Sequence, residues 1–499
     1  MFSLLFDWWP VIAAALAAWL IAKIVQNDVM SPLAKIPGPW CFLQRRFDMV
    51  IGIVCEDAPH RFLRQYHKYG PIFRLDSDSV IVADVEAVRL LHSSNRFRKA
   101  EHYKAMEFHQ DNIFSTRDVD YHRKMIRVVG PTFSNSSING MEAMIYETGV
   151  EKLLDKVEKF ATSSDTFDIL QYITYMTLDI IGKVVFDSSF DLLLAEKVEE
   201  AEPPVIKWLR EVSALGMLRY VLGPLCNRWV FPSHFASDKS LIEFARNAVR
   251  KCEEKAGQAA QESTQKTILY QLIKAEDPET GERLTEDQLI AESVIQIMAG
   301  TDTVALTTTW TLHLLLENPH TYQLLVKELC VALPDRNARV THSQLKSLPY
   351  LNAVLYESMR ILPVTASGNP KQMPPGGETI CGHHIPEKYV VYPMTYIVHR
   401  MKEVYGPDPE EFRPGRWIDA SAEQLDLMRR MFLGFSLGSR ACVGQTLAWV
   451  ELRLALATLL RRFDFHVPDD AKVDMTPVLQ FTLRPRARQF LVKAEPRAM

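Results

Sequence analysis

Apolar residues run almost unbroken from Phe2 to Val25, interrupted only by Asp7 and Lys23, and Trp8–Ala22 carries no charge. As a helix the stretch reaches roughly 30–35 Å at about 1.5 Å per residue, enough to cross a bilayer. Trp8 and Trp9 suit a membrane interface, whereas Trp19 falls deep for that role. No positive charge precedes the run, whereas Lys23, Lys35, Arg45 and Arg46 follow it. That order favours an uncleaved single-span anchor over a signal peptide and puts the rest of the chain in the cytosol. Pro32–Trp40 (PLAKIPGPW) cannot continue a helix and predicts a stiff, extended segment. The expected division is an anchor over 1–30, a proline-rich hinge over 31–48 and a folded body over 49–499.

Within the body, Gly70–Leu91 alternates around Asp76–Ser79 and predicts a short hairpin followed by a helix. Helical periodicity dominates from Met141 to Lys274, punctuated by Pro203, Pro204, Pro224 and Pro232. Thr285–Gln288 reads as a capping box. It opens an apolar-rich stretch free of proline until Pro319, which predicts a helix far longer than the usual 11–12 residues or so, running through the core. Beyond Pro374 short strands are expected, then a helix after Cys442, then strand-like Phe481–Val492. The fold class is mainly α with a small β region.

The chain's 499 residues and net charge of −4 give no nucleic-acid footprint. Its seven cysteines show no CxxC spacing, which argues against a disulfide framework or a zinc module. No GxGxxG loop occurs in strand–helix context.

Candidate chemistry concentrates around Cys442. Gly434, Gly438 and Gly444 allow tight turns and close approach to a flat ligand. Orphan amides at the following helix start would lower the thiol pKa. No local histidine supplies the base a nucleophile needs. Arg440 offers a cation for a carboxylate, and Phe435 could shield the sulfur. Together these suggest haem iron held by a thiolate, which favours O–O cleavage. In the predicted long helix, Gly300, Asp302 and Thr303 sit among apolar residues. Both the glycine and the polar pair are unfavourable there, and both make sense if the helix opens to admit oxygen, water or substrate.

Phe435-x-x-Gly438-x-Arg440-x-Cys442-x-Gly444 resembles the haem-binding signature of the cytochrome P-450 family, in its microsomal, haem-thiolate monooxygenase form. The resemblance implies haem b with Cys442 as the axial metal ligand. It implies Asp302 and Thr303 as an acid–alcohol pair relaying protons to dioxygen, with Val304 where a second hydroxyl is common. It implies that Glu357 and Arg360, with Arg416 of Phe412-Arg-Pro-Gly-Arg416, form a buried structural network, and that Gly415 leaves this network one neighbour short. Lys371, after Asn369-Pro370, stands where an arginine usually meets a haem carboxylate. His122 replaces the usual tryptophan of an early helix, and Lys124 or Arg127 could replace its arginine. His399-Arg400 also matches a family element.

The family's fold is implied for 49–499 as a haem-thiolate catalytic domain behind a single transmembrane helix. The implied reaction inserts one oxygen atom from dioxygen into a lipophilic substrate such as a steroid, terpenoid, fatty acid or secondary metabolite. Electrons from NADPH would arrive through a separate cytochrome P-450 reductase, with cytochrome b5 as an optional donor, at the endoplasmic reticulum membrane. Arg440, Arg453 and Arg461 are the expected docking cations. Tyr103–Phe114, Val205–Leu222, Met298–Val304, Leu362–Ser367 and Phe481 are the expected substrate walls. Alternatives are a peroxide-using isomerase or peroxygenase, and a non-enzymatic haem sensor.

Overall fold

The computed structural model describes residues 2–54, 57–195, 202–256 and 266–497. The apolar N-terminal run forms one helix, Phe2–Ile24, followed by a π-helical turn, Val25–Val29. Among the described residues three helices are long and apolar enough to cross a membrane, and burial separates them. Ile169–Phe186 and Glu286–Glu317 have about four-fifths of their apolar windows inside the protein, whereas Val11–Val29 has none. The first two are therefore core, and among the described residues the N-terminal helix alone is a candidate span with an unburied apolar face. Trp19 is exposed; the side chains of Trp8 and Trp9 lie outside the described residues.

The segment after this helix is not the extended spacer expected. Ala34 N donates to Ser31 O and Ile36 N to Leu33 O, closing two turns. Leu33 and Ile36 are buried against the small sheet, and Arg74 N donates to Pro37 O at 2.8 Å. Asp28 pairs with Arg45 at 2.5 Å and with Arg74 at 3.3 Å. A helix already begins at Phe42. The proline-rich stretch is thus folded onto the body.

The hairpin pairs Ile72–Arg74 with Ser79–Val82 in antiparallel register, Arg74 opposite Val80. It sits at one edge of a five-stranded sheet completed by Val390–Pro393, Lys371–Gln372 and Arg98–Lys99, in that spatial order. Helices make up most of the rest. Pro204 and Pro232 each open one, where a missing N–H costs nothing.

The long helix spans Glu286–Glu317, 32 residues, with the Thr285–Gln288 capping box formed as expected. Its closest neighbour is Ile169–Phe186. Gly300 explains the fit: a Cβ there would stand 2.6 Å from Ile181 Cδ1. The helix is continuous through Gly300, so the expected opening is corrected. The glycine is a packing residue, and the threonines return their hydroxyls to the backbone one turn back, Thr301 to Ile297 O and Thr303 to Ala299 O.

Candidate active site

One cavity of about 520 Å³ lies between the long helix, the Cys442 loop, the small sheet and helix Pro204–Leu222. All five expected substrate walls reach it, through Phe114, Met217, Ala299, Val364 and Phe481 among others.

Cys442 lies two residues before Gly444, the cap of helix Gln445–Arg462. Its loop is held by Cys442 N to Phe435 O at 2.8 Å and Ala441 N to Gly438 O at 3.1 Å. Gly438 is the glycine of the three that must be glycine by conformation. Its φ is +66°, and a Cβ would come 2.1 Å from His92 O. The Cys442 sulfur faces the cavity, and the residue is exposed to that open space. Burial pushes its thiol up, and the amides of Gly444 and Gln445 only partly offset this. The expectation of a lowered thiol is corrected for the protein by itself. A metal cation against the sulfur would reverse the balance, because coordinated thiols lose their proton. Among the described residues no group of three His, Cys, Asp or Glu could hold a metal. A metal here must therefore arrive with most of its ligands already in place.

A second cluster identifies the rest of that group. Lys99 and Lys371 face each other across adjacent strands and are both buried. Arg440 donates to Thr116 O at 3.1 Å. Lys99 donates to Phe114 O and lies 4.6 Å from the Tyr103 ring. None of these three cations is paired with a carboxylate within the described residues. Burial, then each other's charge, holds Lys99 well down and Lys371 to about 8. Burial brings Arg440 to about 10. Buried cations together without an anion are costly, so this site fits a flat ligand carrying carboxylates, as haem does.

Lys99 and Arg440 line the cavity; Lys371 lies behind them. Lys99 was not legible in the sequence, since only strand register brings it beside Lys371. His122 lines the cavity but is held neutral, lowered to about 3 by burial and then by Arg440 and Lys99. It is a neutral ring here and not a cation. Lys124 and Arg127 turn away, to Glu282 at 2.6 Å and to buried Asp277 at 2.8 Å.

On the opposite wall, Asp302 and Thr303 line the cavity. Asp302 pairs with Arg484 at 2.9 Å, a partner the sequence did not reveal. Behind Cys442, Glu357 receives Arg360 Nη2 at 2.9 Å, Arg416 Nε at 2.9 Å, Arg413 N at 2.9 Å and Trp417 Nε1 at 2.9 Å. Trp417 adds a donor to Glu357, and the Asp419 carboxylate lies 3.0 Å from where a Gly415 side chain would begin. Burial would push the Glu357 carboxyl up, but Arg360 and Arg416 pull it below its ordinary value. His399 ties this network to the cysteine loop: Arg360 Nη1 donates to His399 O, and Leu433 N donates to His399 Nε2 at 2.7 Å. Arg453 and Arg461 are buried, the first on Asn352 and the second on Leu333 O. With Arg440 turned to the cavity, the three expected docking cations are unavailable to a partner.

The cytochrome P450 family model matches residues 37–492. The chain is 30% identical over 475 residues to a benzoate 4-monooxygenase of Aspergillus niger, covering 90% of this chain and 89% of that one. It is 25% identical over 477 residues to a cytochrome P450 monooxygenase of Aspergillus fumigatus, covering 92% and 91%. A cytochrome P450 monooxygenase of Botryotinia fuckeliana is 27% identical over 468 residues, covering 90% and 88%. A thiol and unpaired cations around one cavity, the Glu–Arg–Arg network behind them and this full-length match agree: the chain is an oxidoreductase that belongs to the cytochrome P450 family, whose cofactor is haem iron on a cysteine thiolate.

Proposed function

We propose that the protein is a membrane-anchored haem-thiolate monooxygenase. It inserts one atom of dioxygen into a lipophilic substrate and reduces the other to water, with two electrons from NADPH delivered by a separate flavoprotein reductase. The observation that carries this reading is the cavity itself: a cysteine sulfur, two unpaired cations and an acid–alcohol pair all face one largely apolar space. Cys442 would hold the haem iron, and Lys99, Arg440 and neutral His122 would receive its carboxylates. When bound, the haem supplies the redox-active iron that lets dioxygen be reduced in steps.

The chain's own residues then manage protons and exclude water. Asp302 is half-exposed and can take a proton from solvent when it leaves Arg484. Thr303 bonds Ala299 O at 2.8 Å, and rotation of its hydroxyl into the cavity would hand that proton on. Phe114, Ile113, Met217 and Phe481 keep the surrounding space apolar, which suits a lipophilic substrate. The unburied N-terminal helix supports anchoring, and the lysines and arginines after it support a cytosolic body at the endoplasmic reticulum. Anchoring also confines protein and reductase to one membrane, raising their effective concentration.

The test is reconstitution in lipid with a reductase and NADPH, after an optical binding screen of steroids, terpenoids, fatty acids and benzoate. NADPH consumption coupled to a hydroxylated product is expected. Turnover driven by hydrogen peroxide alone, with none from NADPH and reductase, would overturn the reading.

A further inference from the structure

Buried polar atoms without a partner are rare, and each calls for a reason. Twelve such side-chain atoms occur among the described residues, and four fall in residues 292–296 of the long helix: Glu292 Oε2, Ser293 Oγ, and both Nε2 and Oε1 of Gln296. A third of the total within five residues is a site, not scatter. Gln296 is 8% exposed and lines the cavity between Ile295 and Met298. A leucine there would fill the wall without leaving a donor and an acceptor bare.

Glu292 lies one turn earlier on the same face. Its Oε1 accepts from Ile113 N at 2.7 Å, and Oε2 is unpartnered. Burial pushes this carboxyl up to about 8, with Asp111 adding to the rise and no cation acting on it. Near neutral pH it is mostly uncharged. Thr303 also lines the cavity; it is seven residues beyond Gln296, which is about 10 Å along the helix at roughly 1.5 Å per residue.

Resting on the monooxygenase reading, we propose that Gln296 anchors the substrate. The preferred substrate is an apolar skeleton bearing a neutral group that both donates and accepts a hydrogen bond, a hydroxyl above all, about two helical turns from the carbon that is oxidised. The carboxamide's N–H meets the hydroxyl oxygen, and its C=O receives the hydroxyl proton. A carboxylate fits badly, because it has no proton to give Gln296 Oε1 and can use only the amide's N–H. Benzoate is doubly wrong, being charged and having its carboxylate only one ring from the position named in the Aspergillus niger relative.

The experiment uses full-length, haem-loaded protein and three steroids of one skeleton, bearing on ring A a hydroxyl, a hydrogen or a carboxylate. Binding is titrated by calorimetry and by optical difference. The hydroxylated steroid should bind at least about tenfold more tightly than either other, since a site built to bond a hydroxyl rejects the ligand lacking it. Gln296→Leu should abolish that preference while binding the unsubstituted steroid at least as well, and Gln296→Met should do the same. Products should carry new oxygen at the end remote from ring A. Equal affinities in the unaltered protein would mean that water alone satisfies Gln296, and would overturn the proposal. So would a preference that survives both substitutions, or oxidation beside the hydroxyl. The reduced protein's carbon monoxide band separates the failures: with the band present only this inference falls, and with it absent the monooxygenase reading falls too.

Discussion

Two regions of the molecule bury polar groups in opposite ways. Around Glu357, the carboxylate faces two guanidiniums, a backbone amide and an indole, and Arg360 also donates to His399 O and Pro409 O. Along the long helix, Glu292, Ser293 and Gln296 leave four polar atoms bare, Gln296 on the cavity wall itself, and Lys99 and Arg440 face that cavity without a counter-ion. The first arrangement is closed and complete, as a structural network must be to repay desolvation. The second is open, as groups awaiting a ligand must be. Burial alone does not separate them, since Glu357 and Glu292 are both fully buried. Satisfaction does.

The comparison can be broken from either side. The largest effect is expected at the closed network. Glu357→Ala leaves Arg360 and Arg416 buried without a counter-charge, which costs about 3–5 kcal/mol. Soluble, haem-loaded protein should be nearly lost, as read from haem content and thermal midpoint. On the open wall, Asp302→Asn should lower turnover by about 100-fold or more while moving the thermal midpoint by no more than a surface substitution does. Equal thermal losses in the two variants would erase the distinction.

A smaller effect follows from His399. Burial, then Arg360, lowers its ring to about 3, against about 6.5 in an unfolded chain. The folded state therefore resists a proton that the unfolded state accepts. Stability from this neutral ring is full above pH 6.5 or so and is lost as pH falls toward 3, by up to about 1.4 kcal/mol per pH unit. The depressed Glu357 carboxyl works in the same direction at the acid end. Urea midpoints measured against pH should show the slope, and His399→Gln should flatten it.

Much of this was readable in the chain because local patterns carried it. The capping box at Thr285 and the hairpin at Asp76–Ser79 act over a few residues, and both appear as expected. The cysteine loop was legible because its glycines and cysteine are close in sequence. What was missed depends on distant segments meeting. Lys99 matters through its register with Lys371, Asp302 is held by Arg484 from a far hairpin, and Trp417 adds an indole donor to Glu357. Gly300 reads as a weak point in one dimension and as a contact with Ile181 in three. Arg453 and Arg461 follow Cys442 closely in the chain, but exposure is not written in a sequence, and both are buried. The thiol of Cys442 misled too, since helix amides are visible in the sequence and desolvation by the surrounding fold is not.

The account rests on Cys442 as the iron's protein ligand. The most direct measurement is the absorption spectrum of the reduced, carbon monoxide-treated protein beside that of Cys442→Ser. The unaltered protein should show the red-displaced band of thiolate coordination and the variant should not, with the Glu357 network still holding the fold. A variant that keeps the band, or an unaltered protein that binds haem and never shows it, would contradict the assignment.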